Sequence, residues 1–226
     1  MRSVIRAVSG FFVGILIFTG LSLLGWGVSD INGFFSEPAR LLYCVLIVVL
    51  SAITVLTVPD AGRSRGDGLK KVSRQHIVLI VLQILSMAIV VMAPYSDRRN
   101  LLVIEPSGYL RYAGLLLFMS GFLIMNWATA VLGKQFSTEV TIQENHVLIT
   151  NGPFRYVRHP RYAGIILLFL GISFVFRSWP SVILTALFLL VILFRITDEE
   201  ALLATEFRDD WKHYKKATRR LIPYIY

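Results

Sequence analysis

Four stretches of this chain, residues 7–29, 41–59, 75–96 and 112–133, contain no Lys, Arg, Asp or Glu. Each approaches the roughly 20 residues needed to cross a bilayer core. Backbone polar groups in hydrocarbon must be satisfied within the segment itself, so such stretches are restricted to helices. A content of 55% hydrophobic and only 16% charged residues, with a mean hydropathy of +0.65, excludes an ordinary soluble domain. Two shorter apolar runs, 162–176 and 178–194, are separated by Arg177-Ser178-Trp179-Pro180. At or below the lower length limit of about 17 residues, they read as a tight hairpin that crosses a thinned bilayer or is shielded by other helices. The expected fold is an all-α polytopic membrane helical bundle of about six membrane helices, the last two forming the hairpin. Arg2 and Arg6 precede the first run as they would in a signal peptide. That run is too long for a signal core, and Trp26 followed by Asp30-Ile31-Asn32 offers no small-residue cleavage site, so it is read as a span.

Loop charges set the orientation, because Lys and Arg accumulate on the cytoplasmic side. Arg63, Arg65, Lys70, Lys71 and Arg74 outnumber Asp60 and Asp67 in the second connection, whereas Asp30 and Glu37 face Arg40 in the first. The third holds Arg98, Arg99 and Arg111 against Asp97 and Glu105. Six crossings then leave both termini and residues 132–161 on the cytoplasmic face. The formal charge of +9 suits anionic lipid headgroups; without a basic helix or interleaved aromatics, no nucleic-acid partner is expected. Cys44 lies inside an apolar run as packing, and His76, His146, His159 and His213 lack metal-ligand spacing, so no metal is expected.

Composition shifts near Leu110, dividing the chain into membrane helices at 1–109, a scaffold with lipid access, and a chemistry-bearing membrane region at 110–226. The second part holds Arg158-His159-Pro160-Arg161-Tyr162 at the entrance to the hairpin and Arg195-Ile196-Thr197-Asp198-Glu199-Glu200 at its exit. Polar groups beside membrane spans are costly, and two such clusters at one end of a hairpin read as a site. Pro160 disfavours a helical His159 and suits a first helical turn. Backbone N–H groups there, beside His159 and two Arg, suit an anionic ligand group. The plainer alternatives are positive-inside residues touching lipid phosphate, an Arg195–Glu199 intrahelical pair worth about 0.3–0.5 kcal/mol, or a snorkelling Arg195. Within the preceding loop, residues 138–142 read as a short extended piece and Asn151-Gly152-Pro153 as a turn.

Beyond Glu200, Leu203, Phe207, Trp211 and Tyr214 recur at helical spacing among charged residues, predicting a C-terminal amphipathic helix whose Trp and Tyr sit at headgroup level. Rossmann, P-loop, zincin and nucleophile-elbow motifs are missing from the sequence.

The run from His146 through Thr150, Gly152-Pro153-Phe154-Arg155-Tyr156 and Arg158-His159-Pro160-Arg161-Tyr162, followed by Asp198-Glu199-Glu200-Ala201-Leu202-Leu203, Trp211, Tyr214 and Arg220-Leu221-Ile222-Pro223, resembles the isoprenylcysteine carboxyl methyltransferase family. Phospholipid N-methyltransferases and some sterol reductases share parts of the pattern. The resemblance covers about the last half of the chain. It implies an integral membrane methyltransferase using S-adenosylmethionine. His146, Val147, Leu148 and Ile149 would line that cofactor with Phe154, His159, Pro160, Arg161 and Tyr162. Glu199 would hold its charged methionine end and Arg195 the substrate carboxylate, making these two the pair at the reacting centre. Phe154 stands where the family usually has Tyr, removing one hydroxyl from the cofactor's surroundings.

A carboxylate is already nucleophilic at neutral pH, so methyl transfer to it needs alignment and desolvation rather than a base. The expected partners are the lipid bilayer and a lipophilic methyl acceptor such as a prenylcysteine. The runner-up is a phospholipid amine N-methyltransferase; an NADPH-dependent sterol-reductase-like enzyme and a non-enzymatic membrane protein rank lower. The basic balance and lack of long extensions predict a prokaryotic inner membrane, where prenylated CaaX proteins are not expected, and this leaves the natural acceptor open.

Overall fold

The computed structural model describes residues 12–57, 70–71, 75–105, 108–133, 141–142, 147–223 and 225. Seven helices carry the bundle: α1 Phe12–Trp26, α2 Val28–Phe35, α3 Pro38–Thr57, α4 Gln75–Arg99, α5 Gly108–Leu132, α6 Pro160–Val175 and α7 Trp179–Ala217. Four of them, α3, α4, α5 and α7, are long and apolar enough to cross a membrane, and α1 with α2 adds a fifth candidate as a bent pair. The short α6, with 16 residues, forms the expected hairpin with the start of α7.

Two expectations change in detail. The stretch 7–29 is not one straight span, because the chain turns by 84° between α1 and α2. Gly27 adopts φ +103 at the turn, a conformation that suits glycine, and Asp30 caps the following turns by accepting from Gly33 N at 3.0 Å. The amphipathic C-terminal segment is present, but as the far part of α7 rather than a separate helix. At 39 residues α7 is about 58 Å long, nearly twice a hydrocarbon core, so its apolar part to Ile196 crosses and the remainder projects beyond. A local break at Arg208, with φ 43 and ψ −104, redirects this projecting part. Trp211 and Tyr214 do not face lipid headgroups: they are 3% and 9% exposed and pack at the site described below.

Helices α5 and α6 approach backbone to backbone. A Cβ on Gly121 would lie 2.5 Å from Gly164 O and Leu168 N, and one on Gly164 would lie 2.6 Å from Gly121 O. One turn cluster further along, a Cβ on Gly114 would lie 2.6 Å from Val175 N, and Gly171 is equally closed by Phe118. The glycines are seven residues apart on both helices, so they fall on one face of each and meet pairwise across an antiparallel contact. Small residues permit this close packing where lipid supplies no hydrophobic drive between helices.

The hairpin turn is fixed by charge. Asp97 on α4, with its side chain 1% exposed, accepts from Arg40 of α3 at 2.9 Å, from both terminal nitrogens of Arg111 of α5 at 2.9 Å, and from Arg177 in the α6–α7 turn at 2.8 Å. Glu37, 3.9 Å from Arg111, and Glu105, 2.6 Å from Arg177, bring the acidic complement to three against three arginines. Tyr43 and Phe34 pack against Phe176 beside this knot, with ring centroids 5.5 and 5.9 Å away. At the opposite end, β1 Lys70–Lys71 pairs antiparallel with β2 Thr141–Ile142. The basic second connection and the loop before α6 therefore share one face.

Substituting Leu at Gly121 or Gly164 should force α5 from α6 and lower the thermal midpoint of the detergent-purified protein by about 2–12 °C, as overpacking of about 1–3 kcal/mol implies for a chain of this size. Gly108→Ala, where an added Cβ meets nothing within 4 Å, serves as the control and should leave the midpoint unchanged. A common response of all three would contradict the packing role.

Candidate active site

The hairpin brings its two polar clusters together. His159 is the N-cap of α6, held off helical geometry at φ −125 and ψ 57 ahead of Pro160. Its ring stacks on Tyr162 one turn on, with centroids 5.7 Å apart. On α7, Arg195, Glu199 and Glu200 face this first turn of α6. Tyr162 Oη donates to Glu199 Oε2 at 2.9 Å and accepts from Arg195 Nε at 2.8 Å. The hydroxyl therefore links Arg195 to Glu199, which replaces the direct intrahelical pair considered from the sequence. His159 Nδ1 lies 3.8 Å from Glu199 Oε1 and its Nε2 lies 3.4 Å from Glu200 Oε1.

Adjacent glutamates on a helix point about 100° apart, so Glu199 and Glu200 have different surroundings. Glu200 is 6% exposed at its side chain and accepts from Arg158 Nε at 2.9 Å and from Arg220 Nη2 at 3.1 Å. Burial opposes its charge, but His159, Arg158 and Arg220 outweigh that and bring the carboxyl down to about 2. Glu199, with 29% of its side chain exposed, retains capacity for another donor.

The chain beyond α7 returns to complete this region. Arg158 N donates to Arg219 O at 2.7 Å, His159 N donates to Arg220 O at 3.0 Å, and Arg158 Nη1 reaches Thr218 O at 2.6 Å. The two N–H groups just before the helix start are thus taken by the tail. Tyr214 Oη donates to Phe154 O at 2.8 Å, which joins the far part of α7 to the Gly152–Arg155 turn. Phe154 itself is 8% exposed, its ring packed inside rather than displayed.

Two spaces flank the cluster. An apolar cavity of about 330 Å³ inside the bundle is walled by α1, α4, α5, α6 and α7, with Phe18, Leu82, Val90 and Phe188 among its lining. Arg161, Tyr162 and Arg195 supply its polar end. A more open groove of about 620 Å³ lies between Val147, Leu148 and Thr150 on one side and Phe207, Asp210, His213 and Tyr214 on the other. Of the residues expected at the site, Arg161, Tyr162 and Arg195 meet at the cavity, His159 and Glu199 stand beside them, and Val147 and Leu148 line the groove. Pro160 starts α6, and Ile149 follows Leu148 in the irregular stretch ahead of the Gly152–Arg155 turn. His146 lies outside the described residues. The set fits S-adenosylmethionine: an open carboxylate for an ammonium, and an apolar groove edged by Asp210 and His213 for a nucleoside.

Arg158, Glu200 and Arg220 were present in the motifs but without roles, and the signal for them was the Glu199-Glu200 pair, whose side chains leave the helix about 100° apart. Among the described residues no group of three or more His, Cys, Asp or Glu could hold a metal.

Glu200→Gln should leave Arg158 and Arg220 confronting each other without their shared carboxylate, at a cost of about 3–5 kcal/mol for a broken buried pair. The expected readout is a lower thermal midpoint together with faster tryptic cleavage at Arg219 and Arg220. Glu199→Gln should change neither by much. Equal behaviour of the two variants would contradict the division between them.

Residues 110–210 match the family model described as phospholipid methyltransferase. The protein-S-isoprenylcysteine O-methyltransferase of Schizosaccharomyces pombe is 35% identical over 108 residues, which are 46% of this chain and 46% of that protein. This chain thus spans about half the length of that relative. A probable protein-S-isoprenylcysteine O-methyltransferase of Oryza sativa subsp. indica is 23% identical over 161 residues, covering 70% of this chain and 84% of its own. The uncharacterized protein YpbQ of Bacillus subtilis is 25% identical over 154 residues, covering 68% and 88%. The structure of the eukaryotic intramembrane Ras methyltransferase ICMT superposes with a TM-score of 0.55 at 16% identity, over 98% of this chain and 86% of that one. The chain is thus similar in its second half to phospholipid and isoprenylcysteine methyltransferases and shares the membrane fold of the ICMT structure.

Proposed function

We propose that this protein transfers a methyl group from S-adenosylmethionine to the carboxylate of a prenylcysteine-like or other lipophilic acceptor. One observation carries the reading: Arg161, Tyr162 and Arg195 cap an apolar cavity inside the bundle, and the same Tyr162 hydroxyl contacts Glu199. An apolar tail and a carboxylate head match that cavity and its end.

S-adenosylmethionine would supply an electrophilic methyl on a sulfonium. Glu199 would hold its ammonium, and Val147 and Leu148, with Phe207 and Asp210, its nucleoside. Arg195, whose Nε donates to Tyr162, would orient the acceptor carboxylate with its guanidinium. No side chain need accept a proton, because the nucleophile is already ionised. The work of the site is alignment and exclusion of water, and the shared Tyr162 bond couples the acceptor-binding and donor-binding groups in one geometry. We place this end of the bundle at the cytoplasmic face, since the basic second connection shares it through the β1–β2 pair, and we infer a prokaryotic inner membrane. In this reading the first 109 residues are scaffold and supply one side of the acceptor cavity, and residues 110–226 supply its other side and carry the chemistry.

An amine acceptor, the activity suggested by the phospholipid methyltransferase description, is the second reading. Two arginines at the cavity end weigh against it, because they would repel an ammonium and gain nothing from a neutral amine. Methyl transfer from radiolabelled S-adenosylmethionine separates the two. Label on a farnesylcysteine analogue should be released by alkali as volatile methanol, whereas alkali-stable label in added phospholipid would favour the amine. Arg195→Ala should reduce turnover at least about 100-fold, in line with loss of one partner of a buried charge-assisted pair, with cofactor affinity nearly unchanged by calorimetry. Glu199→Ala should instead weaken cofactor binding about tenfold or more. Wild-type turnover in either variant would remove its assigned role.

A further inference from the structure

Gln83 stands on α4 eight residues after Gln75, about 12 Å along the helix axis and so near the middle of a bilayer core about 30 Å thick. It is an exposed residue that also lines the apolar cavity, which places it at the rim. Its neighbours there are Leu79, Leu82, Met87 and Val90, with Ser86 the other polar residue of the α4 wall. Ser86 satisfies itself by donating to Leu82 O at 2.7 Å. Among the described residues, the Gln83 amide has no hydrogen-bond partner. A primary amide with two donors and an acceptor oxygen is expensive at this depth unless something polar meets it. Too far into the helix to reach the interface readily, it faces the space that also reaches Arg195.

Resting on the reading that this cavity receives the acceptor's tail, we propose that Gln83 determines acceptor specificity by hydrogen-bonding a hydroxyl or carbonyl carried within that otherwise apolar tail. The acceptor is then an amphiphile with two polar points: an anionic head at Arg195 and an uncharged oxygen function partway along its chain. A plain hydrocarbon tail would fill the cavity but leave the amide unmet. One net hydrogen bond corresponds to a preference of about tenfold.

The test uses the full chain in phospholipid nanodiscs with S-adenosylhomocysteine bound, and a series of N-acetyl-S-tetradecylcysteines, unsubstituted or with one hydroxyl at successive positions along the chain. Calorimetry should find one or two adjacent hydroxyl positions that bind wild type about tenfold tighter than the unsubstituted probe. That preference should vanish in Gln83→Leu and Gln83→Met, while the unsubstituted probe binds all three proteins alike. A ranking that is flat along the chain, unchanged in both variants, or absent because no probe binds would overturn the proposal. Methyl transfer to the same probes is measured in parallel. A Gln83-dependent preference without any transfer would sink the methyltransferase reading and leave only the Gln83 contact with a bound amphiphile standing; transfer without such a preference would overturn the Gln83 proposal and leave the methyltransferase reading standing.

Discussion

Asp97 is the group on which the rest of the arrangement depends. A carboxylate this deeply buried would be untenable alone, and three arginines from three other parts of the chain converge on it. That requirement ties α3, α4, α5 and the α6–α7 turn at one end of the bundle. With the turn held and α6 pressed against α5 through the paired glycines, the free end of the hairpin has little choice of position. The first turn of α6 and the Arg195–Glu200 face of α7 meet at that free end. The site is therefore placed by contacts at the other side of the molecule and along the helix contact, rather than by its own polar bonds alone.

At the site, polar groups divide into a closed set and an open set. Arg158, Glu200 and Arg220 satisfy one another and tie the tail to α6 and α7. Arg195, Tyr162 and Glu199 form a chain that borders both the apolar cavity and the solvent-facing side. Neighbouring residues in sequence thus join different polar sets, and the helix repeat makes the division possible.

The long uncharged stretches made the spans legible, because bilayer thickness and backbone satisfaction leave few alternatives. The two motif clusters and their meeting across the hairpin were legible for a similar reason: charge beside a span requires a purpose. Other features were hidden by the nature of their signals. Arg40, Asp97, Arg111 and Arg177 look like ordinary loop charges until the third dimension joins them. The bend at Gly27 depends on one backbone angle inside an apolar run. Trp211 and Tyr214 have the spacing of membrane anchors, and only the fold shows that both are buried, with the Tyr214 hydroxyl bonded to Phe154 O. The Gln83 amide, inside an otherwise ordinary apolar run, acquires meaning only when the cavity beside it is seen.

The backbone pairing of Arg158 and His159 with Arg219 and Arg220 also bears on the order in which the protein is made. Helices α1 to α5 precede α6 in the chain, and the histidine and arginines at the start of α6 precede the tail that pairs with them. Those residues have to wait for the tail, synthesised far downstream, before their N–H groups find carbonyls and Glu200 gains its second arginine. Nascent chains that have inserted every helix still lack a finished site until the tail clears the exit tunnel and folds back. Closure of this region therefore depends on residues that follow the last helix in sequence, and a chain shortened before Arg219 would keep every helix yet lack those partners.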